Sequence, residues 1–476
     1  MTSESTPPSS ELPSSELPSS QPSSSEPPPG KESSGALKRF LESPRSYALV
    51  VPTVNACVAA TGLFIPWFME PVSFGQFILI STFVQYLWLL DLGTSQLITR
   101  TSARMKQAGL NSPAGVRVQG ILWTRFYLAV IATVSALALA FAFRDSFKVP
   151  LPMPATLLAI LAGGTQFILM GHLALYRGLS TYGLFTANNS IVQVGLTAPR
   201  VLGLYFGGLS GCFSVLILWF GGVAANMLRR DPPSIRYHPS LHRMHRTVKA
   251  AFPLFVSVSL WSVFMMANRW FVADLADPET YGQFSFAAAV LGLYAGTFGT
   301  IAQAYYPKLS AEAYAAEPFA LSRRVVGDAL KLAAVISVLS TIGVMLVKLV
   351  VPFVYVAYAA SVPALKIFLV AGIPMISASW LMPIAMSART RPIREIVVVY
   401  FLAIGTLWAG TVIGFREAGL EGVGVGVILA SFVMLGGQSV LLRRSRVLSI
   451  RDSARLVISV LLLSGSVALI SHYVAP

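Results

Sequence analysis

A chain of 476 residues that is 55% hydrophobic and 12% charged, with a mean hydropathy of +0.68, is far from a soluble domain, in which about a quarter of residues carry charge. A string of soluble domains is excluded by apolar runs of bilayer length, about 20 residues, that recur from Tyr47 almost to the C-terminus. The formal net charge of +15 would suit nucleic acid if it were patched on one surface, but the Lys and Arg residues sit in short loops between apolar runs, which excludes that reading.

Residues 1–36 are Ser, Pro and Glu, with SSELP twice and then SSQP, and lack the aliphatic residues that offset ordering entropy. They predict a disordered cytoplasmic tail. It is no signal peptide, having no basic segment followed by an apolar one. Residues 37–45, with Lys38, Arg39 and Arg45, have the make-up of an interfacial helix on the inner leaflet.

Spans are predicted at 46–69, 74–98, 119–143, 153–176, 182–206 and 208–228, then at 249–273, 281–306, 325–350, 362–387, 395–415 and 421–442, with a thirteenth candidate at 456–474. If the last one crosses, the C-terminus lies outside; if it is peripheral, both termini lie inside. Basic residues gather in alternate loops, such as Arg100, Arg104, Lys106 and Arg117, or Arg443, Arg444, Arg446, Arg451 and Arg455. The intervening loops carry far fewer, among them Arg144, Lys148 and Arg416. This alternation puts the N-terminus in the cytoplasm and makes anionic lipid headgroups a partner of the basic loops. The fold class is therefore an all-α polytopic membrane protein of 12–13 transmembrane helices. Its predicted parts are an N-terminal six-helix lobe (46–228), a basic linker (229–248), a C-terminal six-helix lobe (249–442), and a basic loop with an extra helix (443–476). Cys57 and Cys212 lie within apolar runs, without metal-ligand spacing, and read as packing residues.

An internal repeat relates the lobes. Phe74-Gly75-Gln76-Phe77 opens the second span and Tyr281-Gly282-Gln283-Phe284 the eighth, 207 positions later. Leu92-Gly93-Thr94 falls within one residue of the register of Phe298-Gly299-Thr300. Six spans separate the copies, so both halves enter the membrane the same way, with a cavity expected between them.

Ionisable residues inside spans are costly, and each is a functional candidate. Arg125 lies in the third span towards the cytoplasm, Arg200 in the outer half of the fifth, and Arg269 near the outer end of the seventh. Guanidinium forks match phosphate oxygens and stay charged, so these three are candidate cavity ligands for a diphosphate; the alternative for each is snorkelling or packing against carbonyls. In the fifth span Asn189, Gln193, Thr197 and Arg200 follow at i, i+4, i+8 and i+11, a polar stripe suited to sugar hydroxyls or to interhelical hydrogen bonds. Asn55, Gln85 and Trp88 are further candidates for the N-lobe wall. Asp91, the one carboxylate well inside the N-lobe spans, sits near the level of Arg125 and is the candidate coupling or gating residue, either through a salt bridge to Arg125 that opens and closes during the cycle or by binding a coupling ion; the alternative is a helix-end residue near the basic loop. No paired carboxylates, Ser/His arrangement or Gly-rich phosphate loop lies in any extramembrane stretch, so an enzyme is not expected. No metal is expected, nor any cofactor beyond a candidate coupling proton or sodium ion.

These features resemble the polysaccharide or O-antigen flippases (Wzx-type) of the multidrug/oligosaccharidyl-lipid/polysaccharide exporter superfamily. The resemblance rests on Phe252-Pro253-Leu254, Asn268-Arg269-Trp270-Phe271, Gly282 with Phe284 to Ala287, and Tyr306-Pro307-Lys308-Leu309-Ser310. Leu90-Asp91-Leu92-Gly93 with Arg100, and Gly419-Leu420-Glu421-Gly422-Val423-Gly424-Val425, extend it over both lobes. It implies alternating-access flipping of a polyprenyl-diphosphate-linked glycan to the outer leaflet of a bacterial cytoplasmic membrane. The glycan would serve O-antigen lipopolysaccharide or exopolysaccharide synthesis, with a glycan polymerase as a partner. Asn268 stands where the family often has an acid, and the thirteenth span exceeds the usual twelve. A lipid II flippase, a cation-coupled multidrug exporter of the same superfamily, and a membrane glycan polymerase or ligase remain as alternatives.

Overall fold

The computed structural model describes residues 44–108, 112–142, 147–179, 181–230, 239–315, 317, 319–387 and 393–473. The tail expected at 1–36 and nearly all of the interfacial helix expected at 37–45 lie outside them, as does 231–238 of the basic linker. The fold is all-α. In chain order the helices are α1 (Pro44–Phe64), α2 (Pro71–Leu87), α3 (Thr94–Ala108), α4 (Pro113–Ala142), α5 (Met153–Gly178), α6 (Tyr182–Gly195) and α7 (Ala198–Arg230). There follow α8 (Leu241–Leu275), α9 (Pro278–Ala315), α10 (Ser322–Val354), α11 (Val362–Ser387), α12 (Ile393–Arg444) and α13 (Ile450–Tyr473). Among the described residues, eight helical stretches are long and apolar enough to cross a membrane.

Two of the expected spans are interrupted. The second breaks after a single 3₁₀ turn (Trp88–Asp91), where Leu92 and Gly93 take left-handed φ values of 47° and 77°. The fifth breaks at Leu196–Thr197. Pro199 can donate no hydrogen bond back to the Gly195 carbonyl, and the Trp219 indole packs where a Cβ on Gly195 would lie and donates to the Ile191 carbonyl at 2.9 Å. The Asn189, Gln193, Thr197, Arg200 stripe is therefore not one helical face. Thr197 closes the α6 terminus instead, its hydroxyl donating to the Val194 carbonyl at 2.6 Å.

The repeat is visible in bonds as well as in letters. Gln76 Nε2 donates to the Pro150 carbonyl at 3.0 Å, and Gln283 Nε2 donates to the Ala357 carbonyl at 2.7 Å; donors and acceptors are both related by 207 positions. The two motifs also meet each other, since a Cβ on Gly75 would lie 3.2 Å from Gly282 Cα. A second correspondence runs at 211 positions. Helix α7 reverses at Gly207–Gly208 (φ −140°, 57°) and α12 at Ala418–Gly419 (φ −140°, 58°). Each turn is followed by the same Gly-Leu-x-Gly string, at 208–211 and 419–422. Gly203 packs on Gly211 in the first hairpin, and Gly414 on Gly422 in the second, because only hydrogen side chains let the two backbones approach so closely.

Helix α13 packs on α10 and α11 of the C-terminal half. Ser322 and Ser449 fix its start by donating to the Asp452 carboxylate, and the Phe319 N–H donates to the Arg446 carbonyl at 2.7 Å.

Candidate functional site

Between the halves lies a cavity of about 690 Å³. Helices α2, α3, α4, α5 and α7 with the end of α1 form one wall; α8 and α9 form the other. At the end remote from the basic loops it is shut by bonds across the halves. Tyr358 donates to the Met69 carbonyl at 2.9 Å, Tyr355 to the Leu63 carbonyl at 2.9 Å, and the Trp67 indole to the Val354 carbonyl at 2.6 Å. Trp67 also stacks on Tyr355. At the basic end Gly93 lies against the backbone of Ala251 and Phe255 in α8, and Leu97 and Ile98 share an apolar cluster with Ala251. Contacts between the halves thus cross both ends.

Arg125, Arg200, Arg269, Gln85 and Asp91 all line this cavity. Arg125 is 3% exposed and its charge is matched. Its Nη1 donates to the Asp91 carboxylate, to Thr94 Oγ1 (3.1 Å) and to Ser95 Oγ (2.8 Å), while Nε and Nη2 donate to the Phe167 carbonyl at 3.0 and 2.7 Å. The guanidinium also lies 4.3 Å from the Phe167 ring centre. Gly171 makes room for it, since a Cβ there would fall 2.7 Å from Arg125 Nε.

The other two guanidiniums have no carboxylate. Arg200 sits over the Phe77 ring at 5.6 Å, and Phe77 in turn stacks on Phe213. Arg269 Nη1 donates to Thr82 Oγ1 at 3.1 Å, and Gly292 leaves it space on α9. In both, the buried Nε has no hydrogen-bond partner. Among the described residues Asp91 is the only acidic one in the lining, so three cations there face one anion and two positive charges have no acidic partner.

Asn55, Asn189, Gln193 and Thr197 do not line the cavity. Asn55 is half-buried on α1 and Asn189 buried on α6, two helices that pack on each other; the side chain of Trp88 lies outside the described residues. The sequence reading missed the α8 wall, where Trp261, Met265 and Met266 line the cavity. Their spacing of one helical turn was the available signal. It also took Phe77 only as a marker of the repeat.

The sequence matches no protein-family model and no curated protein. Solved structures do match. The lipid II flippase MurJ in an inward closed conformation aligns over 87% of this chain and 90% of its own, with a TM-score of 0.59 at 12% identity. An outward-facing multidrug resistance MATE family transporter of the MOP superfamily aligns over 88% of this chain and 98% of its own, with a TM-score of 0.57 at 15% identity. The MATE multidrug transporter DinF-BH gives 0.56 at 16% identity, over 86% of this chain and 95% of its own. The chain shares the fold of these transporters across nearly the whole length of each.

Proposed function

We propose that this chain is a multi-pass membrane transporter that flips a lipid-linked oligosaccharide with a diphosphate head, by alternating access of its two halves. The observation that carries the reading is the cavity between the halves in which, among the described residues, Arg200 and Arg269 have no acidic partner. Two buried guanidiniums are stabilised by an anion that brings about two negative charges and accepts several hydrogen bonds. A diphosphate meets both requirements. The Trp261, Met265 and Met266 wall offers apolar and aromatic surface to the sugars or to the first isoprene units beside it. A cationic drug is disfavoured, because it would add charge of the same sign to the cavity.

On this reading the N-terminus and the basic loops face the cytoplasm of a bacterial cell, the head enters from that side, and the isoprenoid stays in lipid. The glycan is a repeat unit for surface polysaccharide, with a polymerase consuming it outside. Lipid II carries the same diphosphate, and the alignment with the lipid II flippase MurJ makes it the second substrate to test.

The test is flipping in proteoliposomes loaded with a polyprenyl-diphosphate oligosaccharide or, separately, lipid II, read by glycosidase access or by antibiotic capture of the exposed head. Arg200→Ala and Arg269→Ala should each reduce transport at least tenfold, since each removes a charge-assisted anchor of about 1.5–3 kcal/mol. Full activity in the double variant would overturn the reading. Export of an organic cation without lipid flipping would move the assignment to drug transport.

A further inference from the structure

The three cavity arginines are not equivalent. Arg200 and Arg269 each keep an unpartnered Nε, whereas Arg125 is engaged through Nε, Nη1 and Nη2 and offers little to a ligand as it stands. Its partner Asp91 sits where the second span is cut on its way to the basic end. The Asp91 carboxylate accepts from the Thr94 hydroxyl and from the Ser95 N–H (3.3 Å). It thereby satisfies an otherwise orphan donor in the first turn of α3. The next residue, Leu92, is a branched aliphatic residue in the left-handed region (φ 47°, ψ 29°), a conformation that costs about 1–3 kcal/mol and persists only where the surroundings enforce it. Then comes Gly93, whose backbone lies against Ala251 and Phe255 of the opposite half. The cavity surface, the ion pair, the α3 cap and the basic-end seal thus follow one another within four residues.

The repeat shows that this device is an addition to the frame. Counted by 207, Asp91 falls on Phe298 and Arg125 on Leu332, and in the one-residue-shifted register of the Leu92-Gly93-Thr94 match Asp91 falls on Thr297, so no acid stands opposite it in either register; α9 continues as a helix from Pro278 to Ala315. Among the described residues the C-terminal half has neither the pair nor the break.

We propose that the Asp91–Arg125 pair is an anion-responsive latch on the basic-end seal: a phosphate oxygen of a head arriving from the basic side takes Arg125 from Asp91, the α3 cap loosens, and α3 leaves α8. This regulation rests on the reading of the cavity as an anion site. Arg200 and Arg269 receive the head, and Arg125 joins by exchange. The carboxylate it leaves is exposed to the opened basic end, where water hydrates it. Ligand capture and gate release become one event, with Arg125 as the shared group.

The experiment uses the full chain in proteoliposomes with a Ser259→Cys reporter, one turn above Phe255 on the cavity side, in a Cys57→Ser, Cys212→Ala background. A membrane-impermeant maleimide is applied from the basic-loop side, with inorganic diphosphate as the probe anion. In the unmodified latch, diphosphate raises the labelling rate. Asp91→Asn raises it about tenfold or more without diphosphate, because removing one partner of a buried pair strongly destabilises the arrangement that held it, and added diphosphate then gives no further rise. Asp91→Glu, which keeps a carboxylate for both Arg125 and the α3 cap, keeps the low rate. An unchanged rate in Asp91→Asn, with the protein monodisperse and melting normally, overturns the latch. So does a diphosphate response that is absent with the native pair or equal with and without Asp91. Transport lost in Arg200→Ala alongside a failed latch test would leave the flippase reading standing, so the two can fail separately.

Discussion

Replacing Tyr355 and Tyr358 together by Phe should open the cavity at the end remote from the basic loops. Each hydroxyl donates across the halves at 2.9 Å, Tyr358 from a position only 1% exposed, and the rings keep their packing against Phe286 when the hydroxyl is removed. A lost hydrogen bond of this kind costs about 1 kcal/mol net. Two therefore cost about 2 kcal/mol, or about 30-fold in the sealed-to-open ratio at about 1.4 kcal/mol per decade. While the open state stays minor, the rate at which a cavity cysteine is modified from that side is proportional to its population. A Ser81→Cys reporter in a cysteine-free background, treated with impermeant maleimide from the side remote from the basic loops, should react about 30-fold faster in the double variant and about fivefold faster in each single one. Labelling from the basic side should slow or stay constant, since both ends cannot open together in alternating access. An unchanged rate in a correctly folded double variant would show that these bonds do not hold the seal, and that the Trp67–Tyr355 stacking and the Gly75–Gly282 approach hold it instead.

Two further outcomes test the repeat as a physical object. Gly208→Ala and Gly419→Ala should each destabilise the chain by about 1–3 kcal/mol, because φ near 57° with ψ near −140° is open almost solely to glycine; thermal melts should show similar losses, and a harmless variant in one half would break the equivalence. Gln76→Leu and Gln283→Leu should each cost about 1 kcal/mol, and the two costs should add, since they sever corresponding bonds in separate halves.

Much of this was legible in the sequence, and the limits have physical causes. Bilayer-length apolar runs fix the helices, and a motif repeated at 207 positions fixes the pairing of the halves, because lipid leaves the chain few ways to satisfy its backbone. The three arginines were legible as cavity candidates because a charge in hydrocarbon needs a reason. The Asp91–Arg125 pair was legible from the shared level of two residues 34 positions apart; that its carboxylate also caps α3 was not, because that depends on how α2 ends. The polar stripe on the fifth span failed for a local cause. Periodicity was counted through Leu196–Thr197, although Gly195 and Pro199 flank that point and remove a helical hydrogen bond from it. The second correspondence, Gly-Leu-x-Gly at 208 and 419, was present in the letters, but its meaning lies in two backbones meeting at glycine, which only the folded hairpins display.

The two kinds of correspondence separate frame from chemistry. Everything repeated is mechanical: the glutamines that tie α2 and α9 to a neighbouring loop, the glycines where those helices cross, and the glycine hairpins of α7 and α12. The charged groups of the cavity occur once. Counted by 207, Arg125 falls on Leu332 and Asp91 on Phe298, or on Thr297 in the register of the Leu92-Gly93-Thr94 match; Arg200, counted by 211, falls on Thr411, and Arg269, counted back by 207, falls on Gly62. A symmetric frame can rock equally towards either side, and nothing in it selects a direction for the load. The unpaired cations and the latch supply that selection. On the proposed reading the anion's contacts lie on α7 and α8, one from each half, while its latch lies on α2–α4 of the N-terminal half alone. Installing the pair in the other half, with Phe298→Asp and Leu332→Arg, therefore does not simply duplicate the latch. Without a break in α9, an ion pair there should stiffen the C-terminal half and slow opening at the basic end, visible as slower maleimide labelling of the Ser259→Cys reporter. Faster labelling would mean that the pair opens the seal without the Leu92–Gly93 break, and the break would lose its place in the mechanism.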